Sequence, residues 1–355
     1  MTRTSHVAVA ATVVAAFIWY TRRRRRSNSA STDLTATEKQ SDAKPSDEPT
    51  ILQLSADILA LLKKWEPVVV DGMDPALHYL APHVPKVRWT ALGNLVAARE
   101  KTTFGSVDGA RWMSLRLDGC GFSRAVRLMR RKGVLEQDGY SAVFAEAMVS
   151  CLKVLLEHFN GAIGYTQSDE MVVFIPPASV VRGEQQNHAR NGRVTKIATL
   201  AAGLVTAHFL MELSAKCVSA GVGLEGLSQV LPHFDCRVGS FASWEEAQSL
   251  LLWRAYDCSV NGVSDAVYHI PGAGKDVQCL GKREKISWLH AHGHLPLPRH
   301  QAYGTVLAKV RRRVDGHNPK TGATVATLRG FIERVDGPVL ELARTDTLFP
   351  KDDAT

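Results

Sequence analysis

The stretch Arg116-Leu117-Asp118-Gly119-Cys120-Gly121-Phe122 decides the fold. A short apolar run, Trp112-Met113-Ser114-Leu115, leads into it. That reads as a strand delivering Asp118 to its end, with glycines letting the backbone turn tightly. A second unit stands at Gly164-Tyr165-Thr166-Gln167-Ser168-Asp169-Glu170, followed by the apolar run Met171-Val172-Val173-Phe174-Ile175. Acids ahead of such a run fit a hairpin turn feeding a buried strand. Taken alone, an Asp-Gly after a strand is usually a turn, and Ser-Asp-Glu is equally a turn or a helix cap. If the two strands are neighbours, Asp118 and Asp169 converge. Two carboxylates and a nearby backbone carbonyl then make an oxygen-rich site suited to Mg²⁺. A pair of such ions can activate an attacking oxygen and stabilise a leaving pyrophosphate.

Working outward, Tyr140 to Phe159 carries apolar residues at helical spacing and bridges the first strand to the hairpin. Strand, helix, strand, strand opens a ferredoxin-like β-α-β-β-α-β sheet. Arg193 and Lys196, three apart, start a helix over Ile197 to Leu213, a placement in which amides and cations both favour phosphate. Arg254, Asp257 and Asn261 share a helix face and suit nucleotide or RNA, while Trp253 and Leu250 to Leu252 read as core. The run Arg124, Arg127, Arg130, Arg131, Lys132 is either a solvated face or a contact for phosphates. His290, His292 and His294 alternate, as they would on one strand face, but nothing around them supports a zinc site. Arg311 to Arg313 reads as a solvated basic cluster.

The 355 residues are ample for one or two domains, and 45% are apolar. The formal charge of +8 points less to nucleic acid than it first suggests. Arg3 and Arg22 to Arg26 supply six of those positives with no acid among the first 26 residues, leaving +2 for the rest. Any RNA surface must therefore come from local clustering. Six scattered cysteines without a Cys-x-x-Cys pair argue for reduced thiols in a reducing compartment. Val7 to Tyr20 is apolar but short for a span of ~20 residues. With the arginines that follow, it reads as a mitochondrial address, anchored or imported, with a possible membrane contact through residues 7–20. Residues 27–50 are a disordered linker, and Leu52 to Trp65 opens a helical extension over 51–92.

The two acidic motifs, in their order and context, resemble the signature blocks of the tRNA-His guanylyltransferase family, whose members add nucleotides to tRNA 5′ ends in the 3′-to-5′ direction. The family's Arg-hydrophobic-Asp-Gly-Arg-x-Phe-His stands as Arg116 to Ser123, and its Tyr-Gly-Gln-Ser-Asp-Glu as Tyr165 to Glu170. Further blocks follow in the family's order. They are Arg193-x-x-Lys196, Pro232-His233-Phe234-Asp235-Cys236-Arg237, Trp253-Arg254-Ala255-Tyr256-Asp257-Cys258, Lys282, and Gly304-Thr305-Val306-Leu307. The resemblance covers Asn94 to Leu307. It implies an α+β polymerase or cyclase palm, an antiparallel sheet with helices on one face, built from a catalytic domain over 93–260 and a helical and β part over 261–345, with a tail at 346–355.

The resemblance also implies roles. Asp118, Asp169 and the Gly119 carbonyl would hold two Mg²⁺, with Glu170 as a supporting catalytic carboxylate. Gly119, Cys120, Gly121, Phe122, Ser123, Ser168, Arg193 and Lys196 would bind nucleotide, and Arg254, Asn261 and Lys282 would bind RNA. ATP and GTP would be substrates, tRNA the partner, and a homotetramer the assembly. Three single positions and one block depart from the pattern. Cys120 replaces an arginine, Ser123 a histidine and Thr166 a glycine, and Ser259-Val260-Asn261-Gly262 stands for His-Ile-Asn-Asn. The lost histidine is associated with the tRNA-His-specific branch. Templated repair of truncated tRNA 5′ ends is therefore the alternative, and a catalytically impaired tRNA-binding scaffold the competing class.

Overall fold

The computed structural model describes residues 49–64, 85–100, 105–136, 140–223, 231–270, 272–317 and 320–349. The apolar run at 7–20, the arginines after it, the linker as far as 48, residues 65–84 and the tail from 350 lie outside the described residues.

The elements follow from the motifs. The apolar run before Asp118 becomes β1 (Trp112–Cys120), and Gly121, in the left-handed region at φ 79°, turns the chain into α3 (Phe122–Arg131). Ser141 caps α4 (Ala142–His158) by accepting the Phe144 amide, and the hairpin strands are β2 (Ile163–Gln167) and β3 (Glu170–Ile175). After the small hairpin β4 (Val180–Val181) and β5 (Glu184–Gln185) comes α5 (Val194–Ser219), then β6 (His233–Phe241) and α6 (Trp244–Tyr268). Two helices precede this unit, α1 (Ile51–Lys64) and α2 (Lys86–Glu100). After it come α7 (Lys275–Gln278), α8 (Lys282–Ala291), α9 (Arg299–Ala302), β7 (Thr305–His317), β8 (Thr324–Val335) and α10 (Val339–Arg344). The boundary at 260/261 falls inside α6, and β7 joins the same sheet.

The sheet order is β6-β1-β3-β2-β7-β8, with every neighbouring pair antiparallel. Its first four strands have the ferredoxin-like arrangement, and β7 and β8 extend it beyond β2. Alternation along each strand sorts side chains to two faces. Met113, Leu115, Leu117, Met171, Val173, Phe234 and Val238 face α3, α4 and α5. By length and composition α5 is apolar enough to cross a membrane, but its row Val194, Ile197, Ala201, Val205, Phe209, Leu213, Cys217 is buried in this core.

The opposite face holds Tyr165, Val172, Phe174, Phe241, Val306 and Ala308, and α1, α2, α6 and α10 cover it. The extension thus forms a second helical layer that the sequence reading did not anticipate. Gly93 of α2 lies so close to Trp253 that a Cβ there would sit 2.5 Å from the indole nitrogen. That approach lets Trp89 stack on Tyr256 at 4.5 Å. The alternating histidines are not on a strand. Gly293, at φ 71°, ends α8, with the His294 amide bonded back to the Leu289 carbonyl at 2.9 Å. His292 stacks on Trp288 instead, and no metal-ligand cluster of three or more such side chains occurs among the described residues.

Candidate active site

The end of the sheet where β1 stops gathers acids from three strands. Register places Asp118 opposite Glu170 of β3 and Asp235 of β6, all on the face of α6. Facing Cβ atoms in such pairs are about 5 Å apart, and like charges there repel. Arg254, buried on α6, makes a short ion pair with Glu170, and its Nη1 lies 3.1 Å from Asp257. Arg237 Nη2 is 3.5 Å from one Asp235 oxygen, and the other, Oδ1, is buried without a hydrogen-bond partner. Arg116 donates from Nε and Nη2 to both oxygens of Glu100, the last residue of α2, at 2.9 and 2.7 Å. Burial alone would lower the Arg116 pKa. The Glu100 pair and the fields of Asp118 and Asp235 outweigh it and raise the pKa.

Asp169 reaches this place from the other side. Gln167 pairs with Glu170 across a two-residue turn whose first residue, Ser168, is left-handed at φ 55°. The turn carries Asp169 over Gly119. A Cβ at 119 would lie 2.5 Å from the Phe122 ring, 2.7 Å from Asp169 Cβ and 2.9 Å from Asp169 Oδ2. Burial, and after it the charge of Asp118, push the Asp169 carboxyl above its ordinary range, while its backbone and Ser168 hydrogen bonds oppose the rise. Asp118, Gly119 and Asp169 are therefore neighbours, as the two motifs imply.

These residues fit a hard divalent cation. Only glycine leaves room for the Asp169 carboxylate against the strand, the field raises that acid's pKa, and Asp235 Oδ1 is an unsatisfied oxygen on the next strand. Mg²⁺ is usually held by one or two carboxylates with substrate phosphates, so a full protein cage is not required. Gly119→Ala should displace Asp169 and lower kcat by about 10²-fold, the scale of a 1 Å misplacement. A kinetic comparison with wild type checks this, and an unchanged kcat would contradict the contact.

Two cavities flank Asp169. The larger, about 430 Å³, is lined by Phe122, Ser123, Arg127, Arg130, Ser168 and Asp169, among others. It opens beside the first turn of α3, where unpaired amides favour an anion. The smaller, about 180 Å³, includes Ser168, Asp169, Glu170, Arg254 and Asn261. Tyr140 and Asp265 border both cavities, and no motif pointed to either. Arg127 and Arg130 belong to the charge run left open between solvent and phosphate. Cys120 ends β1 opposite His233, and Gly121 caps α3.

Arg193 and Lys196 do not join this site. Arg193 bridges to Ser106, and the Val194 amide bonds the Gly105 carbonyl, near the start of β1. From there α5 climbs thirteen residues, about 20 Å, from Lys196 before Phe209 meets Phe122. Arg254, expected at RNA, is buried and engaged with Glu170. Asn261 does border the smaller cavity, and its Nδ2 is 3.5 Å from Asp257.

Lys282 donates from Nζ to the buried Ser259 hydroxyl at 2.7 Å and lies 5.6 Å from the Tyr256 ring centre. Desolvation pulls its pKa down to about 7 from 10.5. Between those values the unfolded chain binds the extra proton, so the penalty is full below pH 7 and fades toward pH 10.5. Lys282→Met should raise Tm at pH 6, with the gain shrinking by pH 10. Melts at both pH values check this, and a gain independent of pH would contradict it.

Residues 99–242 match the family model described as tRNAHis guanylyltransferase. An uncharacterised protein of Acanthamoeba polyphaga mimivirus is 25% identical over 257 residues, covering 68% of this chain and 82% of that protein. Among solved structures, the tRNA(His) guanylyltransferase of Saccharomyces cerevisiae aligns with TM-score 0.48 and 15% identity over 65% of this chain and 94% of that one. A bacterial tRNA(His) guanylyltransferase-like protein in complex with GTP gives TM-score 0.46 and 19% identity over 73% and 97%. Its complex with ATP gives 0.46 and 18% over 66% and 91%. The family match over residues 99–242 spans both acidic motifs, Arg116 to Ser123 and Tyr165 to Glu170.

Proposed function

We propose that the protein is a 3′-to-5′ nucleotidyltransferase that adds a nucleotide, GTP preferred, to the 5′ end of tRNA after ATP activates the 5′-phosphate. The observation that carries this reading is Asp169 seated on Gly119 beside Asp118, at the mouth of a cavity floored by a helix N-terminus. In the first step a tRNA 5′-phosphate oxygen attacks the α-phosphorus of ATP and pyrophosphate leaves. In the second, the 3′-hydroxyl of GTP attacks the tRNA 5′-phosphorus, a phosphodiester forms and AMP leaves. Asp118, Asp169 and the Gly119 carbonyl would hold Mg²⁺, which when bound acidifies the attacking hydroxyl and neutralises the leaving phosphates.

The protein's own groups do the positioning. The α3 amides with Ser123, Arg127 and Arg130 hold phosphate at the larger cavity, and Ser168 orients Asp169 at 3.2 Å. Arg254 fixes Glu170, and with it the hairpin. Arg193 and Lys196, at the far end of the sheet, would serve phosphates of another copy in a tetramer. The sequence at 7–26 supports a mitochondrial address, anchored or imported.

One observation favours templated repair of truncated tRNAs as the second reading. Ser259, at the family's histidine position, is buried and bonded to Lys282. At Gly262, where the family has asparagine, a Cβ would overlap the Gln301 carbonyl. The test gives the protein Mg²⁺, ATP and GTP with intact 5′-monophosphorylated tRNA-His and, separately, a tRNA lacking its first nucleotide. Extension of intact tRNA-His means guanylyltransferase. Extension only of the truncated tRNA, restoring a Watson–Crick pair, means repair. Binding of both with extension of neither means a scaffold and overturns the enzyme reading.

A further inference from the structure

We infer that the smaller cavity is a nucleobase pocket selective for guanine, in which Asp265 and Gln301 read the Watson–Crick edge. The inference rests on the reading above that the protein takes GTP, and it gives the base of that nucleotide a place. At about 180 Å³ the cavity is far larger than one water needs, yet smaller than the roughly 300 Å³ at which pockets for whole small ligands begin. It therefore suits one end of a ligand. The other end has the neighbouring cavity of about 430 Å³, which shares Tyr140, Ser168, Asp169 and Asp265 with it.

Charge decides which end goes where. Asp169, Glu170 and Asp265 line the smaller cavity, and its arginine, Arg254, is already paired with Glu170 and Asp257. Such a lining repels phosphate. Arg127 and Arg130 line the larger cavity, beside the first amides of α3. The triphosphate thus belongs in the larger cavity and the base in the smaller one.

The polar groups of the smaller cavity then select the base. Gln301 of α9 is 3% exposed and lines the cavity, and its Nε2 is buried with no hydrogen-bond partner among the described residues. A buried donor left unpaired is costly, and a ligand acceptor removes that cost. The terminal torsion of a glutamine is broad, so the amide can turn to such an acceptor. The residue itself is held in place. Its backbone carbonyl accepts from Gln167 Nε2, and Gln167 Oε1 accepts from the Tyr165 hydroxyl at 3.0 Å. Gly262 permits the approach, since a Cβ there would lie 2.3 Å from the Gln301 carbonyl oxygen. Asp265 stands one helical turn further along α6. Burial raises its carboxyl, with His269 and Arg130 opposing the rise, and N–H donors from a ligand would relieve that burial.

Guanine answers both groups. Its N1–H and 2-amino group point the same way and suit one carboxylate, while O6 beside them accepts from an amide. Adenine and cytosine turn a ring-nitrogen lone pair toward the carboxylate, and uracil flanks its single N–H with two carbonyls.

The test measures the affinity of the protein with Mg²⁺ for GTP, ITP and XTP by calorimetry. No tRNA is present, so no template base takes part. ITP lacks the 2-amino group, and XTP carries a carbonyl in its place. Wild type should bind GTP at least about tenfold more tightly than either analogue, a comparison that needs no variant. Asp265→Asn should lose about 10–100-fold in GTP affinity and prefer XTP, because its amide donates to the new carbonyl while its oxygen still accepts N1–H. A merely structural carboxylate would not reverse that order. Gln301→Leu should weaken GTP and ITP alike, since both carry O6. Wild-type affinities for GTP and ITP within about twofold of each other overturn the pocket and leave a cavity filled by water, even if transfer to tRNA proceeds. An Asp265→Asn variant that still ranks GTP above XTP overturns it too. Guanine-selective binding that Asp265→Asn switches to XTP, without transfer to either tRNA, overturns the enzymatic reading and leaves the pocket standing.

Discussion

Asp118→Asn and Asp169→Asn are each expected to slow nucleotide transfer by at least about 10³-fold, the scale of losing a charge-stabilising group from such a site. Neither should unfold the protein. Asp169 is held where burial and Asp118 both disfavour its charge. An acid whose pKa rises on folding destabilises the fold above that raised value. The penalty fades as pH falls toward the unfolded value near 3.8. Asp169→Asn should therefore melt at or above wild type at pH 7 without divalent cation, with the difference closing near pH 4. Single-turnover rates and melts in EDTA check both halves. Transfer within tenfold of wild type by either variant would remove the metal assignment, and a large loss of Tm would show the acids to be structural.

The second large effect is on stability. Arg116→Ala should destabilise the fold by about 3–5 kcal/mol, because it leaves Glu100 buried and unpaired. The two side chains are 7% and 4% exposed, and the guanidinium also lies 5.7 Å from the Trp253 ring centre. Its loss further strips Asp118 and Asp235 of a nearby positive charge. Tm should fall by roughly 10 °C. The double variant Arg116→Met/Glu100→Leu should recover most of that, since a packed apolar pair commonly replaces a buried ion pair without loss. Melting both variants checks this. A single variant within 2 °C of wild type, judged against the roughly 10 °C expected, would mean that water reaches Glu100.

That ion pair shows where reading the sequence stops. Arg116 was visible as the first letter of a motif, but its partner lies at the end of α2, and nothing local joins the two. β1 and the hairpin were legible because period-two apolar runs ended by Gly or by an acidic turn have few other solutions. The facing of Asp118 with both Glu170 and Asp235 was not, because register between distant strands is settled by the whole sheet.

Helical spacing put Arg254, Asp257 and Asn261 on one face correctly. Only packing revealed that Arg254 lies inside, against Glu170, while Asn261 borders a cavity. Arg193 and Lys196 carry the right residue types at a helix start, but the length of α5 sets them far from Asp118. The histidines misled because alternation over five residues cannot separate a strand from a helix end, and Gly293 decided for the latter.

Chemical transfer is expected at the Asp118–Gly119–Asp169 corner. Its most direct test incubates the protein with Mg²⁺, ATP labelled at the α-phosphate and 5′-monophosphorylated tRNA, both intact and lacking its first nucleotide. Unlabelled GTP is then added. Label should appear on tRNA, then leave as AMP as the RNA grows by a nucleotide, with neither event in Asp169→Asn. ATP that binds the wild-type protein yet never passes its label to either RNA would contradict it.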